Sequence, residues 1–202
     1  VFTLPEQPGV IVLRGGGDHT LSRLNSPRYT TYKKPARLST LAAQVLAALP
    51  AEQAITKIIL DDTYFDKPFW NDAWRTSDRT NGYISHITAL QVDSDRANPD
   101  LTSRAYSGVR SRDPVMAAGT HFKKALGARA ASATLEVAVT PDQAILAASV
   151  QSKPMSVWLD HALKYSDNTE TEMIARHALR INRMETTFKN IQPLMVRVMK
   201  EY

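Results

Sequence analysis

The apolar residues of this chain keep two different periods, and the switch between them sets the fold class. Val10 to Leu13 and Ile55 to Leu60 are short apolar runs rich in β-branched residues, the pattern of buried strands. Between them Leu38, Leu41, Ala42, Val45 and Leu49 recur at helical spacing, and Pro50 marks the stop. Thr88 to Val92 reads as a further strand, and Thr134 to Val139 with Ala144 to Val150 as a strand pair joined around Pro141-Asp142. Asp113-Pro114 matches a helix N-cap followed by proline at the first helical position; Val115, Gly119, Phe122 and Leu126 form one face and Gly127 a C-terminal cap. From Pro154 onward only helical spacing remains. Met155, Trp158, Leu159, Ala162 and Leu163 make one segment, and Ile174, Ala178, Ile181, Phe188 and Ile191 a longer one. Pro193 opens a last helix with Leu194, Val198, Met199 and Tyr202. The expectation is an α+β protein with a mixed region over 1–150, a helical region over 151–202, and a boundary near Gln151 to Pro154.

The intervening segments carry turn chemistry. Ser26 to Lys34 reads as a loop, and Asp66 to Gly82 as an irregular ordered loop that Trp70 and Trp74 pin to the core. Asp93 to Arg112 shows polar and turn signals throughout. Neither an internal repeat nor a low-complexity tract is present, and no apolar run is long enough to span a membrane. The start at Val1, without Met, suggests a processed protein or a fragment. Cysteine is absent, which excludes disulfides, cysteine nucleophiles and thiolate metal sites. The net charge of +5 is spread along the chain. Arg104, Arg110 and Arg112, like Lys33-Lys34, read as solvated surface rather than a nucleic-acid stripe.

Few residues suggest chemistry by themselves. Ser166-Asp167-Asn168 lies between two expected helices and has two readings. In one it is a helix cap, whose side chains accept bonds from orphan N–H groups while Glu170 and Glu172 complement the dipole. In the other, a hydroxyl and an amide held side by side relay a proton and position a substrate carbonyl. Gly15-Gly16-Gly17 follows a strand, but without the spacing of a phosphate loop it reads as a structural turn. His19, His86, His121, His161 and His177 show no metal-binding spacing, so no metal ligand is expected. Asp61-Asp62 reads as a strand-terminal turn.

The order of several segments adds a resemblance. Ala147 to Met155, Leu159, His161-Ala162-Leu163, the Ser-Asp-Asn and Glu172 together resemble the low-molecular-mass class C penicillin-binding proteins, which are serine D-alanyl-D-alanine carboxypeptidase/endopeptidases. Val12 to Ser22 with its glycine turn, Leu60 to Phe65, Gly82-Tyr83, Thr88 to Asp93, and Pro114 with Ala118-Gly119 and Phe122 are also similar to that family, in order along nearly the whole chain. The resemblance implies a β-lactamase/transpeptidase-like domain, with 1–150 as an inserted accessory region and 151–202 as part of the helical lobe. It implies acyl transfer through a serine, with Ser166 in the proton-transfer network and Asn168 holding substrate. Asp167 would be structural and Glu172 a support for the following helix. The implied partners are peptidoglycan stem peptides and β-lactams, outside the cytoplasmic membrane, with no cofactor.

Two family motifs are missing. No Ser-x-x-Lys and no Lys-Thr-Gly occur in these 202 residues. Family spacing places the first before Val1 and the second beyond Tyr202, so the chain is expected to be an internal piece that is inactive alone. The alternatives are a non-catalytic peptidoglycan-binding or protein-interaction module of the same fold and a basic nucleic-acid binder. The second alternative lacks interleaved aromatic and basic residues.

Overall fold

The computed structural model describes residues 1–25, 31–104 and 107–201. Its larger sheet has the order β6-β3-β2-β1-β7, from β1 (Phe2–Thr3), β2 (Val10–Arg14), β3 (Lys57–Asp61), β6 (Thr134–Val137) and β7 (Ile145–Leu146). β2, β3 and β6 are parallel, so each junction needs a crossover. Helix α1 (Leu38–Ala48) lies in the first connection and α3 (Pro114–Leu126) in the second. Period-two geometry sorts the strand residues. Ile11, Leu13, Ile58 and Leu60 face the two helices, where Leu38, Leu41, Val45, Val115, Phe122 and Leu126 close one continuous core. Val12 and Ile59, paired in register, face the other way into a smaller cluster with Leu4. At the two edges of the sheet Val137, Ile145 and Leu146 stay exposed.

The expected caps are in place on α3: the Asp113 side chain accepts from the Met116 N–H at 3.0 Å, Pro114 starts the helix, and Gly127 ends it at φ +65°. Gly119 is where α3 meets the sheet, since a Cβ there would lie 2.6 Å from Leu60 Cδ1.

Several expectations are corrected. Thr134 to Val139 and Ala144 to Val150 do not pair with each other; β6 and β7 occupy opposite edges of the sheet. The Pro141-Asp142 turn signal is local and does not determine which strand each arm joins. Thr88 to Val92 is not a strand. The buried Gln91 amide donates to the His86 and Thr88 carbonyls, both at 3.1 Å, and the Asp62 carboxylate takes the Leu90 N–H, so side chains replace a ladder. Within Asp93 to Arg112, β4 (Arg96–Asn98) and β5 (Ser107–Arg110) form a small antiparallel ladder. Arg110, expected at the surface, is only 3% exposed and donates to the Ser94 and Gly82 carbonyls. The short helix α2 (Thr76–Thr80) interrupts the Asp66 to Gly82 loop, and Trp70 and Trp74 pack edge-to-face at 5.2 Å against the second core cluster.

The last part is helical. It comprises α4 (Met155–Tyr165), α5 (Asn168–Ile181) and α6 (Phe188–Glu201). The single long segment expected through Ile191 is broken, because Asn182 caps α5 and Arg183 turns left-handed at φ +54°. Pro193 lies inside α6 instead of opening it. Ser26 to Thr30 of the expected first loop, and Tyr202, fall outside the described residues. Among the described residues, no helix is long and apolar enough to cross a membrane.

Candidate functional site

Ser166, Asp167 and Asn168 make the whole junction between α4 and α5. Ser166 ends α4 in the left-handed region, at φ 52° and ψ 44°, its N–H returning to the Ala162 carbonyl. A non-glycine residue there costs about 1–2 kcal/mol, and the exposed hydroxyl is aimed by that conformation. Asp167 is the N-cap of α5, accepting the Glu170 N–H at 3.0 Å. Asn168 is the first helical residue and exposed; its Nδ2 donates to the Tyr83 carbonyl at 3.2 Å. That bond uses one of its two amide protons and leaves the other, with the amide oxygen, for a ligand. Ser166 and Asn168 line one cavity of about 440 Å³ with Gly82, Tyr83, Arg96 and Arg110. The capping reading holds for Asp167, and it leaves the Ser166 hydroxyl and the Asn168 amide on the wall of the cavity.

The floor beneath this turn is charged and buried. Asp167 also accepts from the Tyr32 hydroxyl at 3.1 Å and pairs with Arg96 at 3.7 Å. Burial would raise its pKa, but His19, the Glu170 N–H and Arg96 hold it below the ordinary carboxylate value. Glu170 does not reach back over the helix end as a first-turn acid would. Its side chain is 1% exposed, with Oε2 2.5 Å from His161 Nδ1, and burial pushes its pKa up. Burial lowers both His161 and His19.

Glu172 stands apart from Ser166. It is half-buried on α5, raised in pKa by desolvation, and shares with Asn168, Trp74 and Tyr83 the wall of a second depression. The glycine turn serves close packing and not phosphate. A Cβ at Gly15 would meet the Ala89 carbonyl oxygen at 2.4 Å, and one at Gly17, at φ +81°, would meet His177 Nε2 at 2.6 Å. Asp61 fits the expected turn, its carboxylate accepting from Thr63 N and Oγ1 and from Thr140. Tyr32 and Arg96 had no signal in the sequence, and His19 and Arg110 were visible there without these roles, since their partners lie in other segments. The one local signal was Glu170, whose spacing after Asp167 suits a cap equally well.

Comparison with known proteins gives one consistent direction. The model of the D-Ala-D-Ala carboxypeptidase 3 (S13) family matches residues 4–108 and 104–201. Carboxypeptidase DacB of Mycolicibacterium smegmatis is 34% identical over 170 residues, covering 84% of this chain and 35% of that protein. A carboxypeptidase of Mycobacterium tuberculosis is 34% identical over 179 residues, 88% of this chain and 37% of that protein. The chain therefore spans little more than a third of the length of these curated relatives. Among solved structures, penicillin binding protein 4 (dacB) from Haemophilus influenzae superposes with a TM-score of 0.66 at 15% identity, over 96% of this chain and 55% of that one. That likeness supports the α+β architecture.

Proposed function

The chain belongs to the D-Ala-D-Ala carboxypeptidase 3 (S13) family, and we propose that it is part of a serine-type D-Ala-D-Ala carboxypeptidase/endopeptidase that cleaves peptidoglycan stem peptides. On this reading the enzyme works outside the cytoplasmic membrane and is acylated by penicillin. The observation that carries the proposal is the Ser166–Asn168 turn, with a left-handed hydroxyl and a half-satisfied amide on the rim of one cavity.

In the proposed reaction a serine of a Ser-x-x-Lys motif attacks the carbonyl of the penultimate D-alanine, the terminal D-alanine leaves, and water hydrolyses the acyl-enzyme. Ser166 Oγ passes the proton to the leaving amine, and the free Asn168 amide groups hold the substrate backbone. Asp167 keeps both residues in place as the cap of α5. Glu172 supports that helix from the second depression. Residues 1–150 form the accessory region and 151–202 part of the helical lobe of the peptidase domain.

Neither Ser-x-x-Lys nor Lys-Thr-Gly occurs in these 202 residues, so the isolated chain should not form an acyl-enzyme. Labelling with a fluorescent penicillin tests this. The expected result is no covalent label on the chain, and labelling of a protein of the relatives' full length that contains it. In that longer protein Ser166→Ala should slow acylation by about 10²–10⁴-fold and Asn168→Ala by about 10²–10³-fold. Label on the isolated chain would refute the missing nucleophile. Peptidoglycan binding by the longer protein without any acylation would replace the peptidase by a binding module.

A further inference from the structure

Beside the Ser166 turn, three metal-capable side chains from α4 and the start of α5 cluster, and His19 approaches one of them from a separate segment. His19 follows the glycine turn after β2, His161 projects from α4, and Asp167 and Glu170 stand at the start of α5. The donor atoms of His161, Asp167 and Glu170 all lie within 4.8 Å of one another. His19 Nε2 faces the same carboxylate, 3.6 Å from Glu170 Oε1, and both side chains are at most 1% exposed. His19 supplies the second, independent observation. Its ring is wedged edge-on between Tyr32 and Trp158, with centroids 5.1 and 4.7 Å away, and neither ring nitrogen has a hydrogen-bond partner. Nδ1 has no partner and Nε2 only the Glu170 carboxylate beyond normal hydrogen-bond distance, and a fully buried imidazole so poorly satisfied is destabilising unless something binds it.

We propose that His19, His161, Asp167 and Glu170 form a site for a divalent transition metal, with Zn²⁺ fitting the donor set best. Two imidazole nitrogens and two carboxylates suit zinc and disfavour magnesium or calcium, which take oxygen ligands. Ligands at about 2.0–2.1 Å in a tetrahedron stand roughly 3.3 Å apart. The 3.6 Å between His19 and Glu170 is already near that spacing. The 2.5 Å between His161 and Glu170 must open by a further ~0.8 Å. The two carboxylates match the charge of the ion, with the Arg96 guanidinium 3.7 Å from Asp167 on the outer side. Asp167 is oriented by groups that are not ligands, the Tyr32 hydroxyl at 3.1 Å and the Glu170 N–H at 3.0 Å, as outer partners of metal sites do. Bound metal ties the segment after β2 to α4 and α5, so its role is structural. The inference concerns metal binding by this chain and does not depend on the acyl-transfer reading.

The experiment uses the chain stripped with a chelator and titrated with Zn²⁺ by calorimetry and thermal unfolding. Binding should saturate at one ion per chain and raise the unfolding temperature. Co²⁺ in its place should give the intense visible absorption of a tetrahedral site. Glu170→Gln and His19→Gln should each weaken affinity more than about 100-fold, and Tyr32→Phe about 10–100-fold; His86→Gln, outside the cluster, should leave it unchanged. The Co²⁺ spectrum of the unaltered chain keeps the proposal testable if a variant does not fold. Absence of saturable binding, a weak octahedral Co²⁺ spectrum, or equal affinity in the Glu170 and His19 variants would overturn it.

Discussion

Phe122 and Arg176 are both fully buried, one in each part of the molecule, and their surroundings have little in common. Phe122 lies in a continuous apolar core with Leu38, Val45, Leu60 and Leu126, between two helices and a sheet. Arg176, on α5, sits among backbone oxygens. Nη1 donates to the carbonyls of Asp66, at 2.5 Å, and Thr186, Nη2 to that of Pro68 at 2.7 Å, and the guanidinium lies 4.3 Å from the Phe188 ring centroid. Around it the helical part buries few apolar residues and leaves Leu163, Ile181 and Met199 largely exposed. The α/β part is held by area removed from water, which is non-directional and tolerant of detail. The helical part adds to the Trp158 and Met173 cluster directional polar anchors such as Arg176, which fix position but tolerate no loss of a partner. Arg176 ties the Asp66 loop and the turn before α6 to α5, the helix that begins at the proposed site.

The largest test replaces each anchor. Phe122→Ala and Arg176→Ala should each cost about 3–5 kcal/mol in denaturant unfolding, the first through a cavity and the second through stranded carbonyls. Their conservative variants should diverge. Phe122→Leu keeps most of the burial and should lose less than about 1.5 kcal/mol, whereas Arg176→Lys loses the planar fork and should recover little. Equal recovery at both positions would erase the distinction.

A smaller effect probes a carboxylate at the seam of the two parts. Asp62 accepts the Leu90 N–H at 2.8 Å, and desolvation raises its pKa to about 7. In the unfolded chain it ionises near the ordinary value, so between about pH 4 and 7 the folded state holds more protons. Its contribution to stability is therefore present at low pH and lost as pH rises through 7. Asp62→Asn keeps an acceptor for Leu90 and should flatten that decline, gaining up to about 4 kcal/mol above pH 7. A decline unchanged in the variant would reassign it to another group.

Next in size is the contact of α3 on the sheet. Gly119→Ala would press a methyl on Leu60, within 2.6 Å of its Cδ1, and should cost about 1–3 kcal/mol in thermal or denaturant unfolding. The smallest effect belongs to a polar pair that is no anchor. Lys57 and Glu136 meet at 2.8 Å on adjacent strands, but both side chains are well exposed. Glu136→Gln should change stability by about 0–1 kcal/mol, and less at high salt. A larger loss would show that exposure does not separate anchors from decoration.

Elements set by their own residues were legible in the sequence. The Asp113-Pro114 start and Gly127 end of α3 follow from local chemistry, and so does the Asp167 cap of α5. The runs from Val10 and Ile55 became β2 and β3 because β-branched residues buried on both faces suit a central parallel strand. The Ser166–Asn168 turn was visible as a candidate, and its capping reading fell to Asp167 alone. Elements that depend on remote partners were not legible. Gln91 displaced an expected strand, the break after Ile181 interrupted an expected helix, and Arg110 moved from the expected surface to the interior.

By itself the sequence determined the α+β class, the change to helix after residue 150, the principal caps and the family resemblance. Periodicity and capping depend on neighbours a few residues away, which any reader of the chain can see. Only the tertiary structure decided that β6 and β7 sit on opposite edges, that Arg176 holds three carbonyls, and that His19 lies beside Glu170. Apart from the Arg176–Thr186 contact, those are pairings across a hundred residues or more, or across sheet edges. No local pattern encodes them, because a buried polar group is recognised by the partner folding brings to it.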